Sequence, residues 1–318
     1  MLNPQAAPAS AGAADAGLMQ AIVQLARDAS IEINVHDVMH VEPSRALLPC
    51  GTRVYVSHLP KQTWQETEAA CRVLRAAGFL PVPHLPVRLV AEEAMLDGIL
   101  DGLVAGARVE EILLVAGDYS APTGPYSMVA DVLSTGALER HGIRAISMAG
   151  HPEGHPKVSL DEIRRAEIGK VMLATQAGLD VSLVTQFFFE YTPFLEWVGD
   201  LRARGVRARF VAGVAGPARP TTLLKFALRC GVGPSIRALT ARPSSFMHTA
   251  GRSRTRTADT RACGGAEHRC GDLRWHPRVL FRGLSPHVRM AAPRRERQVP
   301  IEQSRELRRR SRPRRVTE

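Results

Sequence analysis

The chain repeats one pattern from residue 17 to residue 229: a short apolar segment of strand length alternates with a longer amphipathic segment. The predicted strands are residues 31–35, 53–57, 80–84, 112–116, 145–149, 181–185 and 209–212. The predicted helices are residues 17–29, 62–77, 91–107, 127–140, 159–177, 191–204 and 221–229. Residues 112–116 read ILLVA, a run typical of a strand buried on both faces of a parallel sheet. This alternation predicts an α/β fold, either doubly wound or closed as a (β/α)8 TIM barrel.

Two features favour the barrel over the open sheet. No glycine-rich dinucleotide-binding fingerprint follows the first strand. Polar residues instead follow the carboxyl ends of several strands, which is where barrel enzymes keep their chemistry: His84, Gly117-Asp118, residues 151–155 and Gln186. Only seven strands are predicted, so we expect the eighth to be missing or replaced by an unrelated C-terminal tail. The first and seventh strands would then keep unpaired edges.

The charge of the chain is divided unevenly along its length. The whole chain has 42 basic and 31 acidic residues, and 19 of the basic residues, all arginine, follow residue 250 together with only 7 acidic ones. We therefore expect three regions: a disordered lead at 1–16, a barrel at 17–247 and an Arg-rich tail at 248–318. A basic arm can bind nucleic acid by neutralising phosphates, which is an alternative function for the tail, but we expect no nucleic-acid partner for the body.

A second interpretation of the tail is a frameshift, arising from a sequencing error or a real mutation. Codons can be chosen for residues 249–307 so that the frame displaced by one base encodes a helix-like segment, EQLIRGLAAE, and then an apolar strand, TFAGIHV. Those segments would supply the eighth strand. We therefore expect residues 248–318 to be out of frame and disordered, and the chain as written to be either poorly soluble or deficient in bound cofactor. Sequencing the DNA across codons 246–249 tests this.

Other protein classes are disfavoured by the composition. The five cysteines form neither a disulfide framework nor a paired zinc signature, and we expect no metal site. No apolar run approaches the roughly 18 residues of a membrane helix, and no signal peptide is recognisable. These features predict a cytoplasmic protein with no membrane partner.

Three segments carry the functional prediction: residues 116–118 (AGD), 149–156 (AGHPEGHP) and 183–190 (LVTQFFFE). Each alone has an ordinary structural explanation: a loop, a rigid turn with incidental histidines, and core aromatic residues. In this order, and with residues 83–85 (PHL), they resemble the methylenetetrahydrofolate reductase family over residues 30–246. That resemblance implies a flavin-dependent (β/α)8 barrel that reduces 5,10-methylenetetrahydrofolate to 5-methyltetrahydrofolate with NADH or NADPH. This is an oxidoreductase step of one-carbon metabolism and tetrahydrofolate interconversion.

The resemblance also implies roles for particular residues. Glu32, in the opening SIEI of the first strand, would be the general acid that protonates the departing folate nitrogen. Asp118 and Gln186 would contact the folate substrate. The residues implied to contact FAD are Ser57, His58, His84, Gly117, Asp118, His151, His155 and Lys170.

Two positions depart from the family pattern. His151 stands where the family commonly has tyrosine, and Ala116 stands where an arginine usually precedes the Gly-Asp pair. The departures favour a divergent branch, and they leave open whether it serves methionine biosynthesis or demethylation. A barrel that has lost activity and persists as a regulatory subunit is a further alternative, and a homo-oligomer is left open.

Overall fold

The computed structural model describes residues 9–117, 119–155, 158–188, 191–215 and 278–282. Eight parallel strands form a closed barrel in sequence order, with the eighth strand paired to both the seventh and the first. The chain divides into units Met1–Val288 and Arg289–Glu318, and all described residues belong to the first. The strands are β1 (Ser30–Asn34), β2 (Arg53–Ser57), β3 (Leu80–Pro86), β4 (Glu111–Val115), β5 (Ala145–Gly150), β6 (Asp180–Phe187), β7 (Arg209–Ala215) and β8 (Arg278–Arg282).

Helices connect the strands around the described barrel wall. Short 3-10 helices follow β1 and β3, and a π-helical turn, Gly102–Gly106, extends α4. The α-helices are α1 (Ala9–Arg27), α2 (Val41–Ser44), α3 (Trp64–Ala76), α4 (Glu93–Asp101), α5 (Val129–Leu133), α6 (Ala137–Arg140), α7 (Leu160–Gln176) and α8 (Thr192–Ala203).

The prediction of a (β/α)8 barrel is confirmed, and the seven predicted strands are all present. The expectation that β7 and β1 keep unpaired edges is wrong, because β8 pairs with both. The sequence of β8 is RVLFR, in which three apolar residues of high strand propensity lie between arginines. Because arginines flank this short run, it has no apolar periodicity that would indicate a strand. The prediction that the tail is translated out of frame stays a prediction, and its other residues lie outside the described ones.

Two predicted helices differ from those in the structure. The helix expected from residue 17 begins at Ala9, inside the predicted disordered lead, because five of residues 9–16 are alanine, the strongest helix former. The helix expected at 127–140 is divided into α5 and α6. Gly136 between them has φ of 67°, a left-handed conformation that ends one helix before the next begins. The helix predicted at 221–229 lies outside the described residues.

The hydrophobic core has two layers because successive strand side chains point to opposite faces of the sheet. The larger layer lies between the sheet and the helices and includes Val54, Leu85, Ile112 and Ile146. The smaller layer fills the barrel interior and consists of Tyr55, Val82, Leu113, Val184 and Val211. We call these five residues the inner plug; they fill the barrel interior beneath its carboxyl end.

The amino end of the barrel interior is polar. Arg53 Nε donates to Glu111 Oε2 at 2.9 Å, and Ser147 Oγ donates to Glu111 Oε1 at 2.8 Å. The Tyr55 hydroxyl lies 3.1 Å from Ser147 Oγ. This chain of polar groups crosses the barrel from β2 to β5 and holds Tyr55 in the inner plug. The sequence analysis did not predict this cluster, although a glutamate at the start of an apolar strand is a feature that could have indicated it.

Candidate active site

The carboxyl ends of the strands and the loops that follow them are called the mouth of the barrel. Ser57 ends β2 at the mouth, Glu32 lies in the middle of the neighbouring strand β1, and both are half-buried. Ser57 Oγ donates a 2.9 Å hydrogen bond to Glu32 Oε1. The register pairs Glu32 with Tyr55, so Glu32 lies at the level of the inner plug. The mouth therefore contains a carboxyl group that is oriented by a hydroxyl group.

His84 on β3 is the next predicted site residue around the barrel. Its side chain is buried, and its ring meets the Tyr55 ring edge-on with 6.3 Å between the centroids. In register it lies beside Leu113 of the inner plug. The structure therefore brings Glu32, Ser57 and His84 together on three consecutive strands.

The loop after β4 contains two predicted site residues. Gly117 has φ of 91°, which disfavours any residue with a Cβ, and a Cβ there would lie 2.7 Å from the Tyr119 ring. Arg88 fixes this loop by donating to the carbonyl oxygens of Tyr119 and Ser127, each at 2.8 Å. Asp118 lies outside the described residues, so its predicted contacts with flavin and folate stay predictions.

The loop from β5 to α7 contains His151 and His155. The two rings meet edge-on with 6.2 Å between centroids. His155 is exposed and pairs its backbone with Val158, whereas His151 is half-buried. The two imidazoles predicted from the AGHPEGHP segment are thus adjacent at one side of the mouth.

Lys170 of α7 reaches the same side. Its Nζ lies 3.4 Å from the carbonyl oxygen of Ala149, near the end of β5. Burial lowers the pKa of the Lys170 ammonium, and the charge of Glu167 opposes that shift. A partly desolvated ammonium near the end of β5, the strand that leads into the loop of His151 and His155, can bind an anionic group.

Gln186 lies on β6, beside these groups, with an exposed side chain. The strand register shifts between Val184 and Phe187, and such bulges at barrel rims redirect side chains. The Thr185 hydroxyl fixes the bulge, since it donates to the Gln186 carbonyl and accepts from the Gly213 N–H, each at 2.8 Å. The amide of Gln186 is accordingly available at the mouth.

His58 does not join the other predicted residues. Its ring is buried against α3, where it stacks on Trp64 at 4.0 Å and its Nδ1 lies 2.9 Å from Thr67 Oγ1. Burial lowers its pKa, and the charge of Glu66 opposes that shift. His58 follows Ser57 directly, so strand alternation turns the two side chains to opposite sides of the wall. The structure places His58 in the outer layer, apart from the other predicted residues, and its predicted contact with the cofactor stays a prediction.

Three residues that the sequence did not single out support the β5–α7 loop. Glu167 of α7 has a side chain that is 1% exposed. It accepts hydrogen bonds from the His151 N–H at 2.8 Å, from Arg164 Nη1 at 2.9 Å and from Trp197 Nε1 at 2.9 Å. A glutamate on the inward face of an amphipathic helix, with an arginine three residues earlier, was the available signal.

Gly150, the last residue of β5, packs closely against Trp197. A Cβ at Gly150 would lie 2.5 Å from two ring carbons of Trp197, whose side chain is fully buried and cannot move aside. We expect Gly150→Ala to lower the free energy of unfolding by about 1–3 kcal/mol, as overpacking does. Gly199→Ala on α8 is the matched control, because no atom lies within 4 Å of the added methyl group. Urea denaturation of both variants measures the difference, and equal stabilities would contradict the packing at Gly150.

Comparison with known proteins supports no family assignment. No protein-family model matches the chain. The chain is similar to the crystal structure of dihydropteroate synthase from Thermus thermophilus in complex with 6HMPPP, with 10% identity over 80% of this chain and 86% of that chain and a TM-score of 0.44. Two tryptophan synthase structures from M. tuberculosis are also similar. A ligand-free mutant form has 14% identity over 64% of this chain and 82% of that chain, with a TM-score of 0.38. An open form has 16% identity over 78% of this chain and 98% of that chain, with a TM-score of 0.39.

The strand topology defines the class of this protein: it has a TIM-barrel fold, which is common among enzymes. Within the described residues, no helix has the length and apolar character needed to cross a bilayer. The described residues also contain no cluster of three or more ligand-type side chains that could hold a metal ion.

Proposed function

We propose that the protein is a flavin-dependent oxidoreductase that reduces 5,10-methylenetetrahydrofolate to 5-methyltetrahydrofolate with NADH or NADPH. The observation that carries the proposal is the arrangement at the mouth. A carboxyl group held by a hydroxyl, Glu32 with Ser57, lies on β1 and β2, and two imidazoles and an ammonium lie near the end of β5. One side of the mouth can therefore supply protons, and the other can bind anions.

The residues present fit FAD by the chemistry of their donors. The pyrophosphate of FAD is an anion, and Lys170 and His155 offer N–H donors on one side of the mouth. When bound, a flavin would accept hydride from the nicotinamide and deliver it to the folate carbon.

The described residues would have the following roles in this reaction. Glu32 would donate its proton to the folate nitrogen that departs as the five-membered ring opens, and the resulting iminium carbon would accept the hydride. Ser57 would keep the carboxyl group turned to that nitrogen, because it already binds Glu32 Oε1. Gln186 can both donate and accept hydrogen bonds, which suits the ring edge of the folate.

Flavin binding tests the proposal directly. The purified full-length chain, titrated with FAD, should quench flavin fluorescence and change the flavin absorbance spectrum. Lys170→Met should weaken FAD affinity about tenfold or more, because it removes a charge-assisted donor. Arg165→Met is the matched control, since it removes one positive charge from the exposed face of the same helix. If the chain neither quenches the fluorescence of added FAD nor changes its absorbance spectrum, the proposal is overturned, and a barrel without flavin chemistry is favoured.

A further inference from the structure

The two carboxylate oxygens of Glu167 accept hydrogen bonds from different parts of the structure. Oε2 accepts from Arg164 Nη1 and Trp197 Nε1, each at 2.9 Å. Oε1 accepts from the His151 backbone N–H at 2.8 Å. Oε2 is therefore committed to Arg164 of its own helix and to Trp197 of α8, whereas Oε1 faces the loop at the mouth.

The carboxyl group of Glu167 is ionised despite its burial. Burial alone would raise its pKa, but hydrogen bonds from His151 and Trp197 and the charge of Arg164 outweigh burial, so the net shift of the pKa is downward. At neutral pH, Oε1 is consequently a fixed negative charge that lies beneath the loop from β5 to α7.

The imidazole of His151 faces this charge with one particular nitrogen. Nδ1 lies 3.4 Å from Glu167 Oε1 and makes no shorter hydrogen bond to any other described residue. The His151 side chain is 28% exposed, yet Nδ1 itself is buried. The exposed part of the ring is therefore the part away from Nδ1, and it faces solvent at the mouth.

The charge on Oε1 distinguishes the two neutral forms of the imidazole. With the proton on Nδ1, an N–H dipole points to the carboxylate, and a short movement of the ring closes the 3.4 Å distance to a hydrogen bond. With the proton on Nε2, the Nδ1 lone pair would face a buried anion with no donor between them, which is repulsive. A carboxylate on one ring nitrogen commonly sets the protonation of the other in this way.

We propose that Glu167 is a positioning residue that holds neutral His151 in its Nδ1-protonated form, so that Nε2 is presented at the mouth as a hydrogen-bond acceptor. The ligand group that it recognises is a donor: a hydroxyl or an imide N–H. A flavin has both, in its ribityl chain and its ring, so this choice of ligand rests on the proposed function. The proposed protonation state of His151 is independent of that function.

Nitrogen NMR of the full chain tests the protonation state without any ligand. Protein labelled with 15N-histidine is measured by long-range proton–nitrogen correlation at a pH about two units above the usual histidine pKa. The His151 signals are identified by their loss in His151→Gln. We expect the pattern of a ring protonated on Nδ1. A ring protonated mainly on Nε2 in the unaltered chain would overturn the proposal, and this result needs no variant of Glu167.

Glu167→Gln then tests the cause, with Glu162→Gln on the same helix as the matched control. Glu162 is exposed and, within the described part of the chain, hydrogen-bonds to Ser159 at the helix start rather than to His151, so its replacement should leave His151 unchanged. Glu167→Gln should shift His151 toward Nε2 protonation and weaken FAD binding about fivefold or more, whereas Glu162→Gln should change neither. An unchanged His151 in folded Glu167→Gln would refute the role of Glu167. Failure of every chain to bind FAD, with Nδ1 protonated, would instead overturn only the flavin proposal.

Discussion

Glu32→Gln is expected to leave reduction of bound flavin by the nicotinamide intact and to lower the rate of folate reduction by about 10²–10⁴-fold. The range is that of a lost general acid. Glutamine keeps the shape of the side chain and can accept from Ser57 Oγ, which lies 2.9 Å from Glu32 Oε1, but it has no acidic proton to give to the folate nitrogen. Stopped-flow absorbance separates the two half-reactions, because the flavin is bleached in the first and regains its colour in the second.

Ser57→Ala is the companion to this variant. It retains the acid and removes the hydroxyl that orients it, so the folate half-reaction should slow by about tenfold, the effect of one hydrogen bond. Glu42→Gln, an exposed substitution on α2, should change neither half-reaction. Equal loss of both half-reactions in Glu32→Gln would remove the acid role and assign Glu32 to cofactor binding instead.

The architecture of the barrel was predictable because its strands follow a simple physical rule. Strands covered by helices on one side and by other strands on the other are apolar on both faces, and β4 (EILLV) shows this directly. β8 escaped prediction because its three apolar residues are flanked by arginines, and its position depends on pairing with β7 and β1 rather than on local pattern. Pairing across such a separation in sequence leaves no local signal.

The positions of the predicted site residues followed from the sequence only where those residues belong to strands. Glu32, Ser57, His84 and Gln186 belong to strands, so strand alternation and register fix their positions. His58 was predicted to lie with Ser57 at the mouth, but it is one residue further along the chain, and a shift of one residue turns a side chain to the opposite face. Sequence spacing could not decide between those two faces without the register.

Glu167 was missed for a different reason. In the sequence it is one of many charged residues on an amphipathic helix, and such residues are usually solvated. Its burial depends on Trp197 from α8 and on His151 from the preceding loop. Only the assembled fold brings those donors to one carboxylate.

Trp197→Ala is expected to produce the largest loss of stability, about 3–5 kcal/mol in the free energy of unfolding, as for other large buried aromatic residues. The side chain is 1% exposed and meets the Phe210 ring edge-on, with 5.1 Å between the centroids. Its Nε1 also donates to Glu167 at 2.9 Å. Urea denaturation measures the loss, provided that the slope with denaturant is unchanged. A loss below about 1 kcal/mol would contradict this packing.

Trp197→Phe separates the two contributions of this residue. Phenylalanine keeps most of the apolar contact with Phe210 but cannot donate to Glu167, so the expected loss is about 1–3 kcal/mol, the cost of leaving a buried acceptor short of one partner. If anchoring of Glu167 controls the loop, FAD affinity should fall in both variants. If only packing matters, Trp197→Phe should bind FAD as the unaltered chain does. Because Arg164 and the His151 N–H still hold Glu167 in either variant, a complete loss of FAD binding in Trp197→Phe would show that the tryptophan N–H is the principal support of the loop.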